Sequence, residues 1–186
     1  RLFPSIVKDG IDPFAVEGID NFPYLADAGM NFSYVMHDTG VQVGYWRGVS
    51  HNLNAVALEC FIDELAKNAG ADPIQYRIDM LDMGSTKHAW SGLSAGVPVG
   101  ARMKTVLEEV KKKSRFGKKM AAGKGQGVAV MEGYNSVVAI VAEVTVDSTM
   151  DVVVDKVTAV VDGGTLVHPD QALAQVQGCI NMGQGV

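Results

Sequence analysis

The chain has 186 residues, 47% of them hydrophobic and 20% charged, and a formal net charge of −5. That length suits one domain or two small lobes sharing a core. The acidic balance argues against non-specific nucleic-acid binding, which rests on cationic contacts to phosphate, and no apolar run approaches the roughly 18–20 residues of a membrane-spanning helix.

Residues 1–30, with Pro4, Pro13 and Pro23 and several glycines, read as loop. Ser33 to Asp38 alternates like a strand, Asp38-Thr39-Gly40 reads as a turn, and Val41 to Trp46 as the returning strand of a hairpin. A helix is predicted from Ala55 to Ala69, capped by Asn52 or Asn54, with Leu58, Phe61, Ile62 and Leu65 as its buried face. Glu59, Asp63, Glu64 and Lys67 fall elsewhere on the wheel, as a solvated or pairing face, and Gly70 is the stop. Cys60 sits inside the apolar pattern and is expected to be a buried, inert thiol. With Cys179 it forms neither a CxxC pair nor a disulfide framework.

Asp72, Pro73 and Gln75 open a second helix as an Asp-x-x-Gln capping box; Ile74, Ile78 and Leu81 form its stripe and Gly84 ends it. Residues 84–100 read as a connecting loop. A third helix, Ala101 to Lys113, carries Met103, Val106, Leu107 and Val110. The basic, glycine-containing stretch 114–125 is the expected boundary, dividing a helical lobe with an N-terminal loop and hairpin (1–115) from a β-meander plus a short helix (125–186).

Beyond it, Gln126 to Met131, Val137 to Val146 and Val152 to Val161 are valine-rich strands, with Asp147-Ser148-Thr149-Met150 as a turn. Alternation of Val144 and Val146 with Glu143 and Thr145 predicts one wet face there. Gly163-Gly164 breaks the last strand, and Pro169-Asp170 opens a short helix to about Ile180. Helices followed by a meander favour an α+β fold over an alternating βαβ one.

The most unusual stretch is Tyr45-Trp46-Arg47-Gly48, running into the first long helix. A guanidinium forks paired donors toward a phosphate or oxo-anion, a glycine admits a bulky anion close to the backbone, and a helix start adds N–H donors. The alternative is an Arg paired with a carboxylate beside a buried Trp. Gly123-Lys124-Gly125-Gln126-Gly127 lacks P-loop spacing and precedes a strand, although it leaves a nucleotide-binding reading on the page. The basic run Lys111 to Lys119 reads as a solvated helix end. His37, His51, His88 and His168 show no zinc-ligand spacing.

Residues 44–65, with the phrase Phe61-Ile62-Asp63-Glu64-Leu65-Ala66, and the segment Val161-Asp162-Gly163-Gly164-Thr165 through Gln175-Val176-Gln177-Gly178 carry a family resemblance. The chain resembles the large, molybdopterin-binding subunit of the xanthine dehydrogenase and aldehyde oxidase superfamily, in particular the isoquinoline 1-oxidoreductase beta-subunit type. The likeness runs from about Asp12 to Gly185 and is strongest over 44–82 and 126–178. It implies part of a molybdenum cofactor-binding domain in which Trp46, Arg47, Gly48, Gln175 and Gly178 border the cofactor.

Met182-Gly183-Gln184-Gly185 is worded like another cofactor-binding phrase of these enzymes, although by chain order it stands where relatives have a glycine-rich turn; Gln184 is retained as a candidate. Val49 and Ser50 replace the Phe and Gly of xanthine-oxidising relatives, and His168 replaces an Asn before Pro169.

The resemblance further implies oxidative hydroxylation of an aldehyde or N-heterocycle with water-derived oxygen, on molybdopterin, in its cytosine dinucleotide form, held by the pterin and not by a protein metal-ligand motif. It also implies an iron–sulfur small subunit and further large-subunit segments as partners. The base glutamate of the family's Gly-Glu-x-Gly setting is absent and expected beyond Val186, so the chain by itself is expected to be an inactive fragment without bound cofactor. Periplasmic and cytoplasmic locations both stay open. A non-catalytic scaffold or subunit-docking domain is the alternative reading.

Overall fold

A computed structural model describes residues 7, 10–19, 24, 33–37, 40–42, 44, 46–81 and 99–185. Among the described residues, five helices and a three-stranded antiparallel sheet make an α+β fold. The chain divides into two compact units, 1–101 and 102–186. The division falls inside a helix, ahead of the basic stretch at 114–125 that composition marks.

In the first unit, α1 (Pro13–Val16) is a single turn capped by Asp12, whose Oδ1 accepts from Phe14 N at 3.0 Å. The long helix α2 (Ser50–Asn68) begins earlier than its apolar pattern suggests, with Val49 as its N-cap residue and no side-chain cap. Neither Asn52 nor Asn54 is the cap. Their amides reach backward instead, Asn52 to the carbonyl of Arg47 and Asn54 to those of Ala15 (3.1 Å) and Glu17 (2.8 Å). The short helix α3 (Pro73–Met80) starts as expected, Asp72 Oδ1 accepting from Gln75 N at 2.8 Å. The Gln75 side chain donates to Asp79.

The buried arc of α2 is Glu59, Ile62 and Ala66, while Phe61 and Cys60 face solvent. An ion network turns the helix this way. Arg77 of α3 is fully buried, its Nε donating to Glu59 Oε2 at 2.9 Å, its Nη1 to Asp63 Oδ1 at 2.7 Å and its Nη2 to the Glu59 carbonyl at 3.0 Å. Tyr24 completes it by donating to Glu59 Oε1 at 2.9 Å. A buried guanidinium without its acids costs several kcal/mol, so the acids go inward and Cys60 turns out.

Among the described residues of the expected hairpin, 33–37 and 40–42 carry no strand, and Val35, Met36 and Val41 are exposed. With no apolar face to bury, the alternation has nothing to fix its register. Helix α3 ends at Met80, with Leu81 already extended, ahead of the expected stop at Gly84; Asp38, Thr39, Val43, Tyr45 and residues 84–98 lie outside the described residues.

In the second unit, α4 (Val99–Ser114) buries Met103, Val106, Leu107 and Val110, as its spacing predicts. The sheet runs β1 (Lys124–Gly133), β2 (Ser136–Val146), β3 (Val152–Asp162), in that spatial order. Tyr134 and Asn135, both at positive φ (51° and 64°), make the two-residue turn between β1 and β2. Asp147 organises the next turn, its Oδ1 accepting from Thr149 N (2.8 Å) and Asp151 N (3.0 Å).

Val128, Val130, Val137, Ala139 and Val141 form the buried sheet face. Helix α4 is tied to the sheet at both ends, by Arg102 Nε to Asp162 Oδ2 (2.8 Å) and by Gln126 Nε2 to the Ser114 carbonyl (3.3 Å). One departure concerns the end of β2. Glu143 continues the buried face, and Val144 and Val146 belong to the other one. Lys118 Nζ, 2.6 Å from Glu143 Oε2, makes this tolerable, and that hydrogen bond, against the cost of burial, holds the carboxyl below its usual range.

The last helix, α5 (Pro169–Gln184), runs past Ile180 to the end of the glycine-containing phrase. His168 is its N-cap, with Nδ1 accepting from Gln171 N at 3.2 Å. An imidazole nitrogen thus does what an Asn side-chain oxygen does at such a step.

Candidate functional site

Trp46, Arg47 and Gly48 occupy a tight turn closed by Val49 N donating to the Trp46 carbonyl at 2.9 Å. Gly48 has φ +88°, the conformation required at the third position of a type II turn. His51 N then donates to the Gly48 carbonyl at 3.2 Å as α2 begins. A Cβ on Gly48 would meet Asn52 Oδ1 at 2.6 Å and would displace that amide, while the positive φ itself favours glycine.

Trp46 and Arg47 are both exposed, Trp46 by 49%. Of the alternative, an Arg paired with a carboxylate beside a buried Trp, the burial of Trp46 is not seen. Arg47 is an exposed residue at the positive end of a 19-residue helix whose first turn has no side-chain cap. That arrangement suits an anionic group, since the helix dipole and its open N–H groups act with the guanidinium. The residues present fit an anionic pterin cofactor at this end.

Gln175 and Gly178 lie on the exposed surface of α5, and the place of a Cβ on Gly178 is open, with nothing within 4 Å. Gln184 is in the last turn of the same helix, not in a glycine-rich loop. It follows Gln175 by nine positions, about two and a half turns, which puts the two amides on opposite sides of the helix. Gln184 lines an open groove of about 260 Å³ with Gln177, Ile180, Asn181 and residues 154–157 of β3. The structure thus separates two glutamines that the wording of the sequence would group.

Sequence reasoning missed two polar constellations. Glu17, almost wholly buried, places Oε2 3.6 Å from His51 Nδ1, next to the Arg47 turn. Arg102 joins Asp162 and the Asn135 carbonyl (3.1 Å) where β1, β2 and β3 meet α4. Only the order of elements brings these residues together, so no local spacing announces them. Among the described residues, no group of three His, Cys, Asp or Glu side chains could hold a metal ion.

A model of the molybdopterin cofactor-binding domain family matches residues 54–186. The chain belongs to this family, within the xanthine dehydrogenase-like molybdopterin-binding proteins. It is similar to a membrane-bound aldehyde dehydrogenase [pyrroloquinoline-quinone] of Gluconacetobacter polyoxogenes, at 30% identity over 90% of this chain and 24% of that protein. It is also similar to isoquinoline 1-oxidoreductase subunit beta of Brevundimonas diminuta, at 28% identity over 78% of this chain and 17% of that protein. The chain therefore spans less than a quarter of the length of these relatives. No solved structure matches it. Among the described residues, no helix is long and apolar enough to cross a membrane.

Proposed function

We propose that this chain is a cofactor-holding segment of a molybdenum hydroxylase large subunit, acting on an aldehyde or an N-heterocycle. The observation that carries the reading is the Arg47–Gly48 turn, which presents an exposed guanidinium at the uncapped start of α2. In the first unit, Arg47 and the first N–H groups of α2 bind an anionic group of the cofactor, Gly48 lets it approach the backbone, and the exposed face of Trp46 covers it. In the second unit, Gln175 offers an amide to a polar edge and Gly178 leaves room beside it.

The group supplies two-electron redox chemistry at molybdenum, and the protein contributes position and exclusion. We assign the cytosine dinucleotide form, whose extra phosphate is an anion toward which a guanidinium can fork. The base glutamate, the rest of the substrate cavity and the contact to an iron–sulfur subunit belong to other segments of the full-length protein, so the 186 residues alone are expected to be inactive and free of cofactor.

Arg47→Ala in the full-length protein tests this. Molybdenum and pterin content should fall several-fold while the melting temperature holds; equal metal content and equal turnover in variant and wild type would overturn the proposal. One relative is named for pyrroloquinoline quinone, also an anionic heterocycle that an Arg turn could bind. The family match over 54–186 favours the pterin, and elemental analysis separates the two. Exposed apolar residues on β3 and α5 favour a second reading, a non-catalytic docking domain. A full-length protein purified without molybdenum or pterin would support it.

A further inference from the structure

The exposed Arg47 side chain is long, and a cofactor contact gains little from a guanidinium that wanders. Three side chains from the first turns of α2 brace the backbone around it. Asn52 donates from Nδ2 to the carbonyl of Arg47 itself. Its Oδ1 lies where a Cβ of Gly48 would be, at 2.6 Å, so the Asn52 amide fills the space that glycine leaves. Asn54 donates to the carbonyls of Ala15 and Glu17, at 3.1 and 2.8 Å, which ties α2 to the segment behind the turn, and His51 Nδ1 lies 3.6 Å from Glu17 Oε2.

The roles differ. Asn54 holds α2 to the Ala15–Glu17 segment, whereas Asn52 grips the residue that carries the guanidinium. Asn52 does not cap the helix, which has no side-chain cap, and its own side chain is exposed. A polar residue in this position contributes little to the helix itself, since Asn is a poorer helix former than Ala. Its orientation toward the Arg47 carbonyl makes sense as a device for the turn.

We propose that Asn52 is the positioning residue for Arg47: its amide clamps the Arg47 carbonyl and, by occupying the space over Gly48, fixes the direction in which the guanidinium leaves the backbone. This rests on the reading of Arg47 as a cofactor contact. Asn52 touches no cofactor and acts only through the turn.

The experiment is a double-mutant cycle in the full-length protein, with wild type, Asn52→Ala, Arg47→Ala and the double variant. Two quantities are read: the rate of molybdenum loss on dialysis against chelator, and the melting temperature after the cofactor is stripped. Asn52→Ala should speed metal loss several-fold while leaving the stripped melting temperature level or slightly higher, because Ala favours the helix. In the Arg47→Ala background the same substitution should add nothing.

Wild-type retention in Asn52→Ala, or a full additional loss on top of Arg47→Ala, would overturn the positioning role and leave the Arg47 contact standing. A fall in stripped melting temperature that accounts for the metal loss would make Asn52 a folding residue and also overturn it. If Arg47→Ala retains molybdenum as wild type does, the cofactor contact itself fails and the positioning role goes with it.

Discussion

Arg77 shows what one residue can impose on its surroundings. Fully buried, it hydrogen-bonds Glu59, Asp63 and the carbonyls of Pro73 and Glu59, so its neighbours are chosen to satisfy a charge. Arg77→Leu should destabilise the first unit by about 3–5 kcal/mol, because Glu59 would be left buried without a counter-charge. Urea unfolding of the variant measures this, and Arg77→Lys should recover only part, since an ammonium cannot fork to two acids. Tyr24 belongs to the same network. Burial first, and then the Glu59 charge, push its phenol well above the ordinary tyrosine range, so it stays a donor to Glu59 through neutral pH.

The elements were legible in the sequence wherever apolar spacing alone decided them. The stripe Met103, Val106, Leu107 and Val110 is wholly buried, and the three valine-rich strands sit within a residue or two of their expected bounds. The face of α2 was not legible, because apolar periodicity has no way to count a buried Glu59 until Arg77, on the next helix, supplies its partner. Nor was the far end of α5: Gly183 looks like a turn signal, yet the helix continues through it to Gln184. For the candidate site, the turn at Trp46 to Gly48 could be read from residue type. The Asn52 clamp could not, since Asn52 looked like a cap.

In the full-length protein, Gln175→Ala should lower molybdenum retention more than Gln184→Ala, because the continuous helix turns the two amides apart. Equal losses measured by metal analysis would contradict this. The Arg102 hydrogen bond, against the cost of burial, holds the Asp162 carboxyl below its usual range. A depressed carboxylate contributes stability that is complete above about pH 4, its ordinary value, and lost as pH falls through the folded value. Acid unfolding should therefore be steeper below about pH 4 in wild type than in Asp162→Asn, followed by circular dichroism.

At the scale of the whole molecule, the second unit leaves Val152, Val153, Val154 and Val161 of β3 exposed, with Leu166, Val167, Leu173 and Met182 further along the chain. Exposed apolar residues in such number on one short stretch of chain are uncommon in a protein that stays monomeric. The 186-residue chain on its own should bind an apolar-surface dye such as ANS and self-associate at micromolar concentration; a monomer by light scattering with no dye signal would contradict this. The relatives this chain matches are more than four times longer and have additional chain with which to cover such a surface.

Cys60 and Cys179 are the chain's only cysteines. Both are solvent-facing, one on each compact unit. Nature has thus placed a single thiol handle on either side of the division at residue 101. Maleimide spin labels or fluorophores attached to the wild-type chain would report the spacing between the two units without any engineered site.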